Sequence, residues 1–384
     1  MSASIDAVLQ AAVAAGAVPN VVGVAADRDG VIYEGAAGPR AVGEADPAGP
    51  DTMFRIASMT KMTTTVAALQ LVERGSLDLR SPVAAYLPEF ADLQVLDGFD
   101  GDTPRLRPPA SAATVSQLVT HTSGLTYWFW NPDMARYEQL TGTPNVLAGT
   151  NGAFTAPLVA DPGTRFEYGT NTDWLGRVIE TTSGQSLDKY LAANVFGPLG
   201  MDSATFLMSP EQRAVSAPVH FKGPDGWMVT AIDWNQDPDY WSGGHGLHCT
   251  PRDYLKFQRM LLGNGTLDGA RVLTEASVDA AFRNQIGDLD FPASIPSGDP
   301  MAACALSLGP GWKFGHGLLL NSADIPGRRA AWTGSWAGLI NAHYWVDRTS
   351  GIAGALYSQF LPFVTAESLE LYGAYEEAVY ASRG

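Results

Sequence analysis

The chain has 384 residues, 46% of them hydrophobic and 17% charged, and 24 basic against 40 acidic side chains leave a net charge of -16. That supplies apolar material for one large domain or two closely packed ones, while the acidic balance repels phosphate backbones and anionic bilayers and sets nucleic acid and membranes aside as partners. Cys249 and Cys304 are the only cysteines, too few for a disulfide scaffold or a zinc site, and a reducing compartment is expected.

Residues 4 to 16 read as an amphipathic helix. The first basic residue is Arg28, so this stretch lacks the positive start of a secretory signal, and no apolar run approaches the ~20 residues of a bilayer span. A cytoplasmic protein is expected. Val21 to Gly38 reads as two β-rich runs joined by a hairpin turn at Asp29-Gly30.

Phe54 to Lys61 then leads into TTTVAALQLVERG, where Val66, Leu69, Leu71 and Val72 approximate a helical face ending at Gly75. Ser58 falls in the first turn of that helix and Lys61 shares its face, an S-x-x-K arrangement. A serine hydroxyl is a poor nucleophile until a base takes its proton. Burial and the positive end of a helix both disfavour a charged lysine, and the helix end leaves the Ser58 N–H free for a developing oxyanion. The bland alternative is a helix cap with an outward lysine. The same spacing recurs at Ser186–Lys189, where Ser186 reads as an N-cap and Asp188 and Lys189 as solvated charges.

Long Pro- and Gly-rich connections such as DGFDGDTPRLRPPASAA and FPASIPSGDP separate helices in the middle of the chain. Residues 1-80 and 305-384 are expected to form a discontinuous sheet-and-helix domain, 81-304 a mainly helical lobe, and the cleft between them the site. Tyr168, in a loop after Pro162-Gly163, is a phenol that can exchange protons with a reacting oxygen. Near the other end, Gly334 and Ser335 are small enough for a backbone to approach a substrate, and a strand-edge N–H there could complete an oxyanion hole. LINAHYWV, from Leu339 to Val346, and IAGALYSQF read as a second hairpin, and Ala366 to Ala381 as a last helix.

Tyr127, Trp128, Phe129 and Trp130, with Trp241 and Trp336, can line an apolar pocket or simply fill the core. His245 and His248 beside Cys249 lie in a glycine loop with no third and fourth ligand in view, so no metal or cofactor is expected. The G-x-S-x-G elbow of a lipase-like hydrolase is absent.

In this order the Ser58, Tyr168 and Trp332–Ser335 segments resemble the S-x-x-K, Tyr and K-T-G elements of the serine β-lactamases and penicillin-binding proteins. Leu118–Leu125 is similar to that superfamily's L-L-x-H-T-S-G-L segment, Gly243–Tyr254 to its G-G-x-G-L-x-S-T-x-x-D-Y region, and Pro198–Phe206 to a further block. The resemblance covers roughly residues 20 to 360. Two departures, Trp332 in place of the lysine and Thr170 in place of the asparagine of Y-x-N with Asn171 one later, bring the chain closer to family VIII carboxylesterases.

The resemblance implies an α/β (α+β) fold of the β-lactamase and DD-peptidase type, an antiparallel sheet flanked by helices with a mainly helical second lobe. It implies that Ser58 attacks the carbonyl of a small-molecule ester, that Lys61 and Tyr168 move the proton, and that the N–H groups of Ser58 and Ser335 hold the oxyanion. Trp332, Gly334, Trp336, Tyr127, Trp128 and Trp241 would contact the substrate. Three alternatives stay open: acyl transfer from the same acyl-enzyme, β-lactam or amide hydrolysis with Arg328 and Arg329 as a carboxylate clamp, and a non-catalytic binding protein of the same fold. The natural substrate and the oligomeric state are not written in the sequence.

Overall fold

A computed structural model describes residues 2–383. Its centre is a seven-stranded sheet built from β1 (Val21–Asp27), β2 (Val31–Ala37), β3 (Trp312–Phe314), β4 (Leu319–Asn321), β5 (Gly334–Gly338), β6 (Ala342–Asp347) and β7 (Ile352–Tyr357). The spatial order is β3-β4-β5-β6-β7-β1-β2, with every neighbouring pair antiparallel. The two predicted hairpins thus meet in one sheet, β1 pairing with β7 from Val22–Tyr357 to Asp27–Ile352. At the first turn, Asp27 Oδ1 accepts the N–H groups of Asp29 and Gly30 at 2.9 and 3.0 Å, which fixes that hairpin locally.

Every residue of β1, β6 and β7 is buried, so the sheet is covered on both faces. The period of two divides the side chains. Val22, Val24, Ala353 and Tyr344 join one core with the helix Pro251–Leu262. Val21, Ala25, Leu356 and Trp345 join the other with Ile5, Leu9, Leu371 and Tyr375, which come from α1 (Ser2–Ala14) and the C-terminal helix Ala366–Ala381.

Helix α2 (Thr60–Glu73) is buried at each position from Thr60 to Leu71. It is therefore the central helix of the larger core rather than the half-exposed amphipathic one that its sequence pattern predicts. α3 (Asn171–Ser183) packs against it, and we call Pro251–Leu262 α4 and Ala366–Ala381 α5. Two sequence expectations change here. α4, assigned to the helical lobe, lies on β1, β6 and β7, so the boundaries 81-304 do not separate sheet from lobe. The strand expected over Leu339–Val346 begins at Ala342, because residues 339–341 form the turn that joins β5 to β6, with Asn341 at φ +64°. Among the described residues no helix is long and apolar enough to cross a membrane.

Candidate active site

Ser58 sits in a single 3-10 turn, Ala57–Met59, that runs directly into α2. Ala57 has φ +44°, a conformation an L-residue adopts only under constraint, and this swings the chain from the extended pair Phe54–Arg55 into the helix. Lys61, one turn on, places Nζ 3.2 Å from Ser58 Oγ. Phe54–Arg55 also pairs with His248–Cys249, which draws the glycine loop before it against α2. There the Gly244 carbonyl accepts from Lys61 Nζ at 2.8 Å, and the Tyr127 hydroxyl does so at 3.0 Å.

Ser58 and Lys61 are 6% and 2% exposed. Burial lowers the lysine to about 7 against the opposing pull of Asp173, so the neutral amine is accessible near neutral pH. A neutral amine has two N–H donors and one lone pair. With the donors directed to Gly244 and Tyr127, the lone pair is left for the Ser58 hydroxyl, the orientation a base needs.

Asp173, fully buried in α3, holds this arrangement. Its carboxylate accepts from Ser242 Oγ at 2.5 Å, the Gly244 N–H at 3.1 Å and the Tyr127 hydroxyl at 3.4 Å. A Cβ on Gly244 would stand 2.4 Å from Asp173 Oδ2, so the close approach requires glycine there. Sequence reasoning gave Asp173 no role and read Tyr127 only as a pocket wall. The available signal was the Y-x-x-x-x-D-x-L-G pattern from Tyr168 to Gly176.

Trp336 Nε1 donates to the Tyr168 hydroxyl at 3.3 Å. Burial raises the phenol above its ordinary value, and the neighbouring Ser58 and Trp336 side chains oppose the rise. Asn171 is elsewhere: its amide bridges the ring of His121 at 3.0 Å, the Leu125 carbonyl at 3.2 Å and Ser123 Oγ at 2.5 Å. It locks the turn that carries Tyr127 to the loop that carries Tyr168 and does not reach Lys61.

The third segment moves by four residues. Trp332 is 45% exposed with φ +65°, and its N–H bonds the Asn321 carbonyl at 2.7 Å, so it stands outside the pocket at Ser58. A Cβ on Gly334 would meet Leu318 and Phe282 of the core. Trp336, also followed by x-Gly, is the ring that reaches Tyr168. Ser335 lies inside the ladder, opposite Leu319 on one side and Trp345 on the other, so its N–H faces a paired strand rather than a substrate. The alternative donor is Leu339, just past the end of β5. Gly338 brings that end close, since a Cβ there would fall 2.4 Å from the Ile56 carbonyl. Among the described residues, neither the Ser58 N–H nor the Leu339 N–H donates to another group, which suits both to an oxyanion.

Ser58 stands where two cavities meet. A small one of about 20 Å³ is walled by Tyr127, Trp128, Leu147, Trp234, His245 and Leu339. A large one of about 510 Å³ is entered past Tyr168, Trp130 and Trp336, with Phe291, Leu306 and Trp312 farther along. Trp241 belongs to a third hollow of about 30 Å³, beside Phe206. His245 bonds Ser242 Oγ through Nδ1 at 2.6 Å, whereas His248 is wholly buried in the pairing with Phe54–Arg55 and Thr205. The second S-x-x-K leaves Lys189 exposed at the start of the helix Leu187–Leu191.

Comparison with known proteins follows the same line. The beta-lactamase family model matches residues 5–374. Lovastatin esterase of Penicillium rubens is 33% identical over 371 residues, spanning 91% of this chain and 90% of that one. Monacolin J acid methylbutanoyltransferase of Aspergillus terreus is 30% identical over 345 residues, 86% and 82% of the two chains. Unliganded simvastatin synthase LovD from Aspergillus terreus superposes with a TM-score of 0.82 at 27% identity over 99% of this chain and 98% of that one. EstCE1, a hydrolase with promiscuous acyltransferase activity, shares the fold with a TM-score of 0.78 at 22% identity over 98% of each chain. The chain therefore belongs to the beta-lactamase family, as an enzyme of the group that contains esterases and acyltransferases.

Proposed function

We propose that the protein cleaves carboxylic esters of small acyl groups on larger alcohols through an acyl-enzyme on Ser58. The observation that carries this is the position of Ser58 between a small and a large cavity, with Tyr168 on the wall of the large one alone. The oxygen of a leaving alcohol must face the group that protonates it, so the alcohol occupies the large cavity and the acyl group the small one. Ser58 gives its proton to the Lys61 lone pair as its oxygen attacks. The carbonyl oxygen gathers charge against the N–H groups of Ser58 and Leu339. The proton passes by way of Tyr168 to the alcohol oxygen as its bond to the acyl carbon breaks, and water then reverses the sequence. An alcohol seated in the same cavity gives acyl transfer instead, a second reading supported by the transferase relative and by the apolar walls that keep water scarce.

A β-lactam substrate fits less well, because Trp336 stands on Tyr168 where the resemblance expects a lysine. The free thiols of Cys249 and Cys304 support a reducing, cytoplasmic setting. The test compares p-nitrophenyl butyrate with a chromogenic cephalosporin. Butyrate hydrolysis that disappears in Ser58→Ala, with slow cephalosporin opening, is expected. Fast cephalosporin turnover, or butyrate hydrolysis that survives Ser58→Ala, would refute the proposal.

Acyl length supplies a separate check. Leu147 lines both the small cavity and the hollow beyond it, so Leu147→Ala is expected to raise the octanoate-to-butyrate ratio of kcat/KM on the order of tenfold. An unchanged ratio would place the acyl group elsewhere.

A further inference from the structure

A chain of polar groups runs from Asp173 to the edge of the small cavity. Asp173 Oδ1 receives the Ser242 hydroxyl at 2.5 Å, and Ser242 Oγ lies 2.6 Å from His245 Nδ1 and 3.0 Å from the His245 backbone N–H. A hydroxyl has one proton and two lone pairs. The Ser242 proton is spent on the carboxylate, so Oγ accepts from both His245 groups. Nδ1 therefore carries the ring proton, and the lone pair of the neutral imidazole falls to Nε2. Burial keeps the ring neutral, lowering it to about 4 against the pull of Asp173, and Lys61 adds to the drop. Ser242 is thus no second nucleophile, because the imidazole beside it donates and takes no proton.

The lone pair on Nε2 is unspent. His245 is partly exposed, and its Nε2 has no partner among the described residues. It is not sealed in the protein as both ring nitrogens of His248 and Nε2 of His343 are. The ring stands edge-on to Trp234, 5.6 Å between centroids, in the wall of two spaces: the small cavity at Ser58 and the hollow beside Phe206. The two share Val146, Leu147, Trp234 and His245. The open surface of the small cavity is apolar, whereas that of the hollow is partly polar. On the hollow's wall Asn235 is committed, giving Nδ2 to the Ala148 carbonyl at 2.8 Å and taking the Asp237 N–H on Oδ1 at 2.9 Å. His245 offers a free acceptor there, and each space has room for about one water-sized group.

We propose that His245 selects acyl groups that carry a hydroxyl, which donates to Nε2 where the small cavity meets the hollow. The inference rests on the ester reading of Ser58 and narrows its acyl side. One water-sized space lies between Ser58 and the junction, which puts the hydroxyl on the third or fourth carbon. A hydroxyl there satisfies the lone pair. A ketone oxygen sets a second acceptor against it, and a methyl group leaves it without a partner.

Ethyl butyrate, ethyl 3-hydroxybutyrate, ethyl 4-hydroxybutyrate and ethyl acetoacetate are compared as substrates of the wild type, His245→Gln and His245→Phe, each rate being divided by that of the same ester with hydroxide. The better hydroxy ester is expected to exceed butyrate and acetoacetate in kcat/KM by about tenfold. That preference should vanish in His245→Phe and persist in part in His245→Gln, whose amide oxygen still accepts. Parity in the wild type, or a preference undiminished in a His245→Phe protein with the wild-type melting curve, would overturn the proposal. Binding without turnover gives a second reading. In Ser58→Ala labelled with 15N-histidine, the Nε2 signal of His245 should be that of a bare ring nitrogen and move on saturation with the preferred hydroxy ester but not with ethyl butyrate. A protonated Nε2, or a signal that does not move, also counts against the subsite. Ser58-dependent turnover without a hydroxyl preference removes the subsite alone. A moving Nε2 signal without turnover of any ester keeps the subsite and removes the ester reading.

Discussion

Lys61→Met is expected to lower kcat/KM on p-nitrophenyl butyrate by about a thousandfold, the middle of the range general-base removal produces, without unfolding the protein. The methionine fills similar volume, and a thioether has no charge to desolvate. The loss would therefore report proton transfer rather than damage to the core. In the wild type the same group sets the pH response. Burial brings Lys61 down to about 7, and only the neutral amine can accept the Ser58 proton, so kcat/KM should fall as pH drops through that value and level off above it. A flat profile between pH 6 and 8 would remove Lys61 from the role of base. The shift also bears on stability. Between about 7 and the ordinary value of 10.5 the unfolded lysine is protonated and the folded one is not, so this residue's contribution to stability declines as pH falls through that window.

The second large effect is structural. Glu376 and Arg329 are 1% and 5% exposed and joined by two hydrogen bonds. Glu376→Ala leaves the guanidinium buried without its counter-charge, which costs about 3–5 kcal/mol in comparable sites. Urea unfolding followed by tryptophan fluorescence measures it. Asp78→Asn is the control: it breaks a bridge to Arg80 whose side chains are 51% and 91% exposed, and surface pairs of that kind are worth about 0–1 kcal/mol. If the two variants lose the same amount, the pair on α5 is not the internal tie that its burial suggests.

The parts of the site that the sequence announced are those whose geometry is local. Ser58 and Lys61 are one helical turn apart, so spacing alone puts Oγ and Nζ within reach. The hairpins at the two ends showed in their alternation and turn residues, and the mainly helical stretch between them pointed to one discontinuous sheet domain. The third segment failed because Trp332-Thr333-Gly334 and Trp336-Ala337-Gly338 carry the same pattern. What separates them is where β4 stops, and a strand three residues long leaves little trace in composition. Non-local contacts were equally silent. The Gly244 carbonyl that orients Lys61 arrives from 183 residues away, and Tyr127 looked like one more aromatic in a run of four. Asp173 sits in a helix start that suits an acidic residue for ordinary reasons, which hid its hold on Gly244 and Tyr127.

The pairing of β1 with β7 has a consequence for how the molecule is made. β1 is made well before its partner, for in the finished sheet it lies between β2 and a strand about 330 positions later in the chain. The hairpin of β1 and β2 must wait, one edge unpaired, until β7 has been synthesised. Closing so long a loop slows folding, and an unpaired strand of apolar residues invites association with other chains in the interval. Ser58 and Lys61 are made early too, but the strand end that supplies Leu339 comes late. The nascent chain should acquire reactivity only once β5 to β7 have been made, in the same step that seals its sheet.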